Sequence, residues 1–196
     1  KNAWLKKLQA QDLEPYETKK YAASLAARPA HLRELPTLQD LGFEKTNLSA
    51  LGITPGMRGG QTLWQDFQDR VSGYADKRDF PAVKGPSYLS VHLRFGTVSI
   101  RELVAFAHAH AYKGKGNEGA ATWLSELIWR EFYFLVLANF SYVATPEGGS
   151  FKPAYDNIIW ETGEQAQQLF QAWCDGQTGY PLVDAAMAQI NQTDYM

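Results

Sequence analysis

The run Trp123-Leu124-Ser125-Glu126-Leu127-Ile128-Trp129-Arg130-Glu131-Phe132-Tyr133 constrains the fold of this chain more than any other stretch. At about 100° per residue, a helix gathers Trp129, Tyr133, Glu126, Arg130 and Trp123 into an arc of roughly 120°. Leu124, Leu127, Ile128 and Phe132 cover the other directions. A helix that is apolar nearly all round belongs in an interior. Its carboxylate and guanidinium must then face a partner or a cavity, because unpaired buried charge is expensive. Geometry leaves two readings open: the arc is one wall of a ligand pocket, or Glu126 and Arg130 form an i,i+4 ion pair on a core helix.

With 45% hydrophobic and 13% aromatic residues, the 196-residue chain carries enough apolar surface for a packed core. A net charge of -2 gives no global basic field toward nucleic acid or membrane, so any nucleic-acid contact must be local. A single cysteine, Cys174, cannot make an internal disulfide, which suits a cytoplasmic location. No apolar run reaches membrane-spanning length and no signal-peptide layout opens the chain. Starting at Lys1 without an initiator methionine, the sequence reads as a piece of a longer polypeptide.

Helical spacing recurs along the chain and no period-2 alternation of strand length stands out, so the expectation is an all-α fold. Asp12 to Ala27 reads as a surface helix stopped before Pro29, and Pro36 to Gly60 as a glycine-rich connector. The boundary therefore falls between a leader, residues 1–60, and a compact helical domain, residues 61–196. Leu63, Phe67 and Val71 mark an amphipathic helix ending near Gly73. Ser99 with Glu102, and Thr162 with Gln165, are capping-box patterns before apolar runs. Gly176 closes the second of these helices, and Pro181 opens another over Leu182 to Asn191.

The segment Gly85-Pro86-Ser87-Tyr88-Leu89-Ser90 pairs small hydroxyls with a short helix start, a combination that suits a phosphate or, more commonly, simple capping. Lys77, Arg78, Lys84, Arg94 and Arg101, with Asp79 the lone anion from 77 to 101, make a modest basic patch suited to backbone phosphates or to plain solvation. His31, His92, His108 and His110 lack partners at metal-ligand spacing, so no metal site is expected. Neither a Gly-x-Ser-x-Gly nor a P-loop pattern occurs.

Taken together, Tyr74 to Pro81, Gly85 to Ser99, Trp123 to Tyr133 and Asp175-Gly176-Gln177-Thr178-Gly179-Tyr180-Pro181-Leu182-Val183-Asp184-Ala185-Ala186-Met187 resemble the DNA photolyase/cryptochrome family in content, order and spacing. The Glu126 to Tyr133 run is most similar to bacterial cyclobutane-dimer photolyases. The resemblance implies FAD as cofactor, with Tyr74, Ser87, Leu89 (through its backbone), Ser90, Trp123 and Arg130 holding it. It implies that Glu126 hydrogen-bonds the damaged bases and that Trp129 stacks on them. Arg78 then contacts DNA, with Tyr133 beside Trp129 on the DNA-facing side, and Trp160 is the solvent-side member of a tryptophan relay.

The implied partner is UV-damaged DNA containing pyrimidine dimers, and the implied reaction is their light-driven splitting by reduced FAD. The resemblance also implies a second antenna chromophore, bound by a domain expected before Lys1. Pro86 stands where the family often has a hydroxyl, and the chain stops at Asp194-Tyr195-Met196, before the family's His-Asn-Arg run. A cryptochrome photoreceptor is the alternative within the family. A helical DNA-binding or scaffold module without redox chemistry is the alternative outside it.

Overall fold

The computed structural model describes residues 2–8, 10–29, 31, 34–44, 47–145 and 147–193, and among these every regular element is a helix. The terminal Asp194-Tyr195-Met196 lies outside the described residues. Two compact units are present. The first comprises residues 1–46 and 52–136, and the second residues 47–51 and 137–196.

The first unit contains α1 (Asn2–Lys7), α2 (Ala10–Leu13), α3 (Gly56–Arg70), α4 (Tyr74–Lys77), α5 (Ser90–Arg94), α6 (Ile100–Tyr112) and most of α7 (Glu118–Asn139). The core is aromatic. Trp64 stacks on Trp123 with ring centroids 5.6 Å apart and meets Phe106 edge-on at 4.8 Å. Phe67 lies 4.7 Å from Trp123 and edge-on to Tyr74 at 5.8 Å. These contacts join α3 to α4, α6 and α7, and Leu89, Leu103 and Leu124 fill the space around them. Removing a buried ring of this size from such a core costs about 3 to 5 kcal/mol.

Trp64 Nε1 donates to Glu102 Oε1 at 3.0 Å. The capping box at Ser99 is therefore half made: Ser99 Oγ accepts from Glu102 N at 3.5 Å, but the Glu102 carboxylate turns to the indole instead of back to the helix start. Gly59 and Gly60, expected to end the glycine-rich connector, sit inside α3 and are buried. A Cβ on Gly60 would lie 2.7 Å from Val98 Cγ1, so close packing rather than helix breaking explains that residue.

The helix expected over Asp12 to Ala27 does not form. Its helical part ends at Leu13, with a 3-10 stretch at Lys19–Ser24, and residues 14–29 are all exposed. Without a buried face, propensity alone does not hold a helix of that length in water. The leader is fastened instead by Arg101, which donates to Gln11 O at 2.8 Å and to Tyr16 Oη at 2.6 Å while its guanidinium lies 4.2 Å from the Tyr16 ring centroid.

In the second unit, α8 (Glu164–Cys174) is preceded by Gly163 at the N-cap, one residue later than the Thr162 pattern implied. It ends in a Schellman motif, with Gln177 N donating to Ala172 O and Gly176 N to Trp173 O, Gly176 adopting φ +68°. Next comes α9 (Pro181–Thr193), starting at the proline as expected. The Thr178-Gly179-Tyr180-Pro181 run folds over the Asp184 carboxylate, which accepts from Thr178 N, Thr178 Oγ1 and Gly179 N at 2.8, 2.6 and 3.0 Å. Those donors, the Thr178 hydroxyl foremost, hold the Asp184 carboxyl below the usual carboxylate range. Among the described residues no helix is long and apolar enough to cross a membrane, and no group of His, Cys, Asp and Glu is arranged to hold a metal.

Among the described residues, His92 on α5 is the one buried polar residue of the core, 1% exposed. Its Nδ1 lies 2.8 Å from Thr97 Oγ1, and that hydroxyl faces the His92 carbonyl at 3.4 Å. If the hydroxyl donates to the carbonyl, Nδ1 carries the proton and Nε2 is left as a bare acceptor, consistent with its having no partner. Burial lowers the His92 pKa from its ordinary 6.5, because charging the ring would place a second N–H where nothing accepts it. Below pH 6.5 the unfolded chain takes up a proton that the folded chain refuses, so stability declines from there until the lower folded value is passed. The expected decline is at most about 1.4 kcal/mol per pH unit. Urea titrations of wild type and His92→Asn between pH 7 and pH 5 check it: the variant keeps the Nδ1-like donor and loses the decline.

Candidate flavin and DNA site

The residues singled out by sequence gather mainly where α4, the 84–90 loop and the middle of α7 meet. Arg78, which follows α4, donates from Nη1 to Glu126 Oε1 at 2.5 Å. Its Nε lies 3.4 Å from Asp79 Oδ1, and its guanidinium lies 5.9 Å from the Tyr74 ring centroid. Burial, with the Glu126 charge second, raises the Tyr74 phenol above its ordinary range, while the Glu126 bond raises the Arg78 pKa. Tyr74, Arg78 and Glu126 thus form one cluster linking a buried ring to a half-exposed ion pair.

The i,i+4 pair between Glu126 and Arg130 is not adopted. Glu126 turns to Arg78, whereas Arg130 Nη2 donates to Leu93 O at 3.2 Å and its guanidinium stacks 4.6 Å from the Phe134 ring centroid. The predicted arc also divides along the helix. Trp123 is 3% exposed within the aromatic core, but Trp129 is 52% and Tyr133 64% exposed. Burial of α7 ends at Leu127. The expectation of a wholly interior helix is corrected accordingly: α7 has packing partners over its first turns, and its remaining apolar surface faces outward. There Trp129 meets Phe132 edge-on at 5.5 Å and tilts toward Tyr133 at 6.2 Å.

In the 84–90 segment, Ser87 Oγ accepts from Leu89 N at 3.4 Å, the Leu89 side chain is fully buried, and Ser90 is exposed at the start of α5. Tyr88 sits at φ +57°, a left-handed conformation that is uncommon for a bulky residue. Trp160, in the second unit after the turn Pro153–Asn157, is 73% exposed.

Sequence reasoning overlooked Arg70 and Asp66. Arg70 ends α3, pairs with Asp66 at 2.7 Å and reaches the carbonyls of the 84–86 loop. The i,i+4 acid–base spacing was readable, but the carbonyl partners leave no mark in the sequence. A cavity of about 380 Å³ lies elsewhere in the first unit, lined by Trp4, Leu5, Leu8, Val104, Leu124 and Leu127 among others. Arg101 of the basic patch also lines it, but none of the residues assigned to flavin or to the damaged bases does.

The profile of a family described as the FAD binding domain of DNA photolyase matches residues 123–196. A deoxyribodipyrimidine photo-lyase of Synechococcus sp. is 38% identical over 175 residues, 87% of this chain and 34% of the relative. Those of Vibrio cholerae and Escherichia coli are 36% and 31% identical, each across 100% of this chain and covering 40% and 39% of the relative. The chain thus spans 34 to 40% of the length of these curated relatives. A crystal structure of a bacterial class III photolyase from Agrobacterium tumefaciens superposes with a TM-score of 0.63 at 31% identity, covering 85% of this chain and 33% of that one.

Because Arg78 and Glu126 are both partly open to solvent, their bond is worth little to stability. A double-mutant cycle with Arg78→Met and Glu126→Gln, read by chemical denaturation, is expected to give a coupling below about 1 kcal/mol. A coupling several times larger would mean that the pair holds the fold together.

Proposed function

We propose that this chain, a member of the DNA photolyase family, supplies the flavin- and DNA-facing part of a deoxyribodipyrimidine photo-lyase that splits cyclobutane pyrimidine dimers. Residues 1–60 serve as the leader between domains and residues 61–196 as part of the FAD-binding domain. The observation that carries the reading is an exposed indole, Trp129, one helical turn beyond the half-exposed Glu126–Arg78 pair. A pyrimidine dimer turned out of the duplex needs an apolar surface to stack on and a hydrogen-bonding group at its base edges. Trp129 with Tyr133 offers the first, and Glu126 the second. Arg78, already oriented at the rim, binds a DNA phosphate.

FAD fits the donor set. Ser87 and the exposed Ser90 offer hydroxyls to the diphosphate on a segment whose backbone is fixed by the buried Leu89. Arg130 binds the Leu93 carbonyl just beyond this segment, and Tyr74 and Trp123 belong to the same core cluster as Leu89. Bound and reduced, FAD supplies the light-driven electron for repair. Exposure of Trp160 suits the solvent end of a tryptophan relay. DNA containing pyrimidine dimers is the partner, and an antenna chromophore belongs to a domain outside these residues.

The test is Trp129→Ala in the longest natural polypeptide that carries this chain. Affinity for dimer-containing DNA should fall by about 1 to 3 kcal/mol, the worth of stacking on one base, with FAD retained. Released flavin with unchanged DNA affinity would place Trp129 on the wrong face.

A further inference from the structure

We infer that Arg70 is a positioning residue for the segment that receives the FAD diphosphate, setting the direction of its backbone donors without touching the cofactor. The inference rests on the flavin reading above and adds a residue that the reading does not contain. Arg70 Nη1 donates to Lys84 O at 2.6 Å, and to Gly85 O and Pro86 O at 3.3 Å each. Its Nη2 also reaches Pro86 O at 3.3 Å. One guanidinium therefore gathers three successive carbonyls.

The guanidinium is itself held. Asp66 Oδ2 accepts from Arg70 Nε and Nη2 at 3.1 and 2.7 Å, and Asp66 Oδ1 takes Lys84 Nζ at 3.0 Å. These bonds, the Arg70 bond foremost, hold the Asp66 carboxyl below the usual carboxylate range. Arg70 also ends α3, where a cation is favoured by the helix dipole, and lies 5.4 Å from the Phe67 ring centroid in the core. The loop has no slack on its other side: a Cβ on Gly85 would stand 2.5 Å from Lys77 O.

The consequence follows from peptide planarity. In a trans peptide the C=O and the next N–H point in opposite directions. With Pro86 O drawn to Arg70, the N–H of Ser87 is turned out of the Arg70 cluster. Two residues later the Leu89 side chain is fully buried, so the stretch is pinned at both ends. Between the pins, Tyr88 keeps a backbone angle of φ +57° that a free loop would relax. Arg70 and Leu89 thus hold Ser87 and Ser90 in a preset arrangement, and a diphosphate meets donors that need no reordering.

The test compares FAD with riboflavin, which lacks the diphosphate, as ligands of the longest natural polypeptide that carries this chain. Arg70→Met should weaken FAD by about tenfold or more, since charge-assisted bonds are lost, while leaving riboflavin affinity unchanged. Arg70→Lys should resemble it, because an ammonium does not fork across three carbonyls. Asp66→Asn should show the same selectivity with a smaller loss, and these two variants decide the matter if Arg70→Met fails to fold. The phosphorus resonances of bound FAD should shift in each variant that retains it. Unchanged FAD affinity, or a parallel loss of FAD and riboflavin, overturns the assignment. A wild-type protein that takes up neither ligand overturns the flavin reading itself, and this inference with it.

Discussion

Trp64 and Trp123, stacked with ring planes 23° apart, bind α3 to α7, and the placement of the site follows from that contact. With Trp123 turned inward, Glu126 comes to the edge of the core, where Arg78 reaches it, and Trp129 emerges beyond the last buried residue of the helix. One helix thus carries core packing in its first turns and, in its later ones, the exposed aromatic surface proposed above for recognition. Its apolar residues serve both, which is why α7 has no polar face along which to divide the two roles.

Within each unit, fixed charges organise loops by binding backbone. Arg70 collects the carbonyls before the Ser87–Ser90 segment, Arg101 fastens the leader, Arg130 caps Leu93, and Asp184 gathers the donors of the Thr178–Gly179 turn. Each bond turns an otherwise irregular stretch into a defined surface. Each is also partly solvent-facing, so its value lies more in fixing geometry than in raising stability.

Much of this was legible in the sequence. Helical periodicity gave α3 through Leu63 and Phe67, the Schellman end at Gly176 was readable, and Pro181 marked the start of α9. Local rules failed where a distant partner decided the outcome. Glu126 has an arginine four residues away and chose another 48 residues back, and Glu102 left its capping role for the Trp64 indole. The Asp12 to Ala27 stretch carries helix-forming residues but no face to bury. Nothing in the sequence singles out Arg70, because backbone carbonyls are present in every loop and only the fold brings three of them to one guanidinium.

The central claim is that these surfaces serve light-driven repair of DNA. It is tested most directly by giving the longest natural polypeptide that carries this chain, with its flavin reduced, an oligonucleotide bearing one thymine dimer, and following dimer loss in the light and in the dark. The dimer is expected to be split under illumination and to persist in darkness. Retention of the dimer in the light, by protein that binds both flavin and the damaged strand, would contradict it.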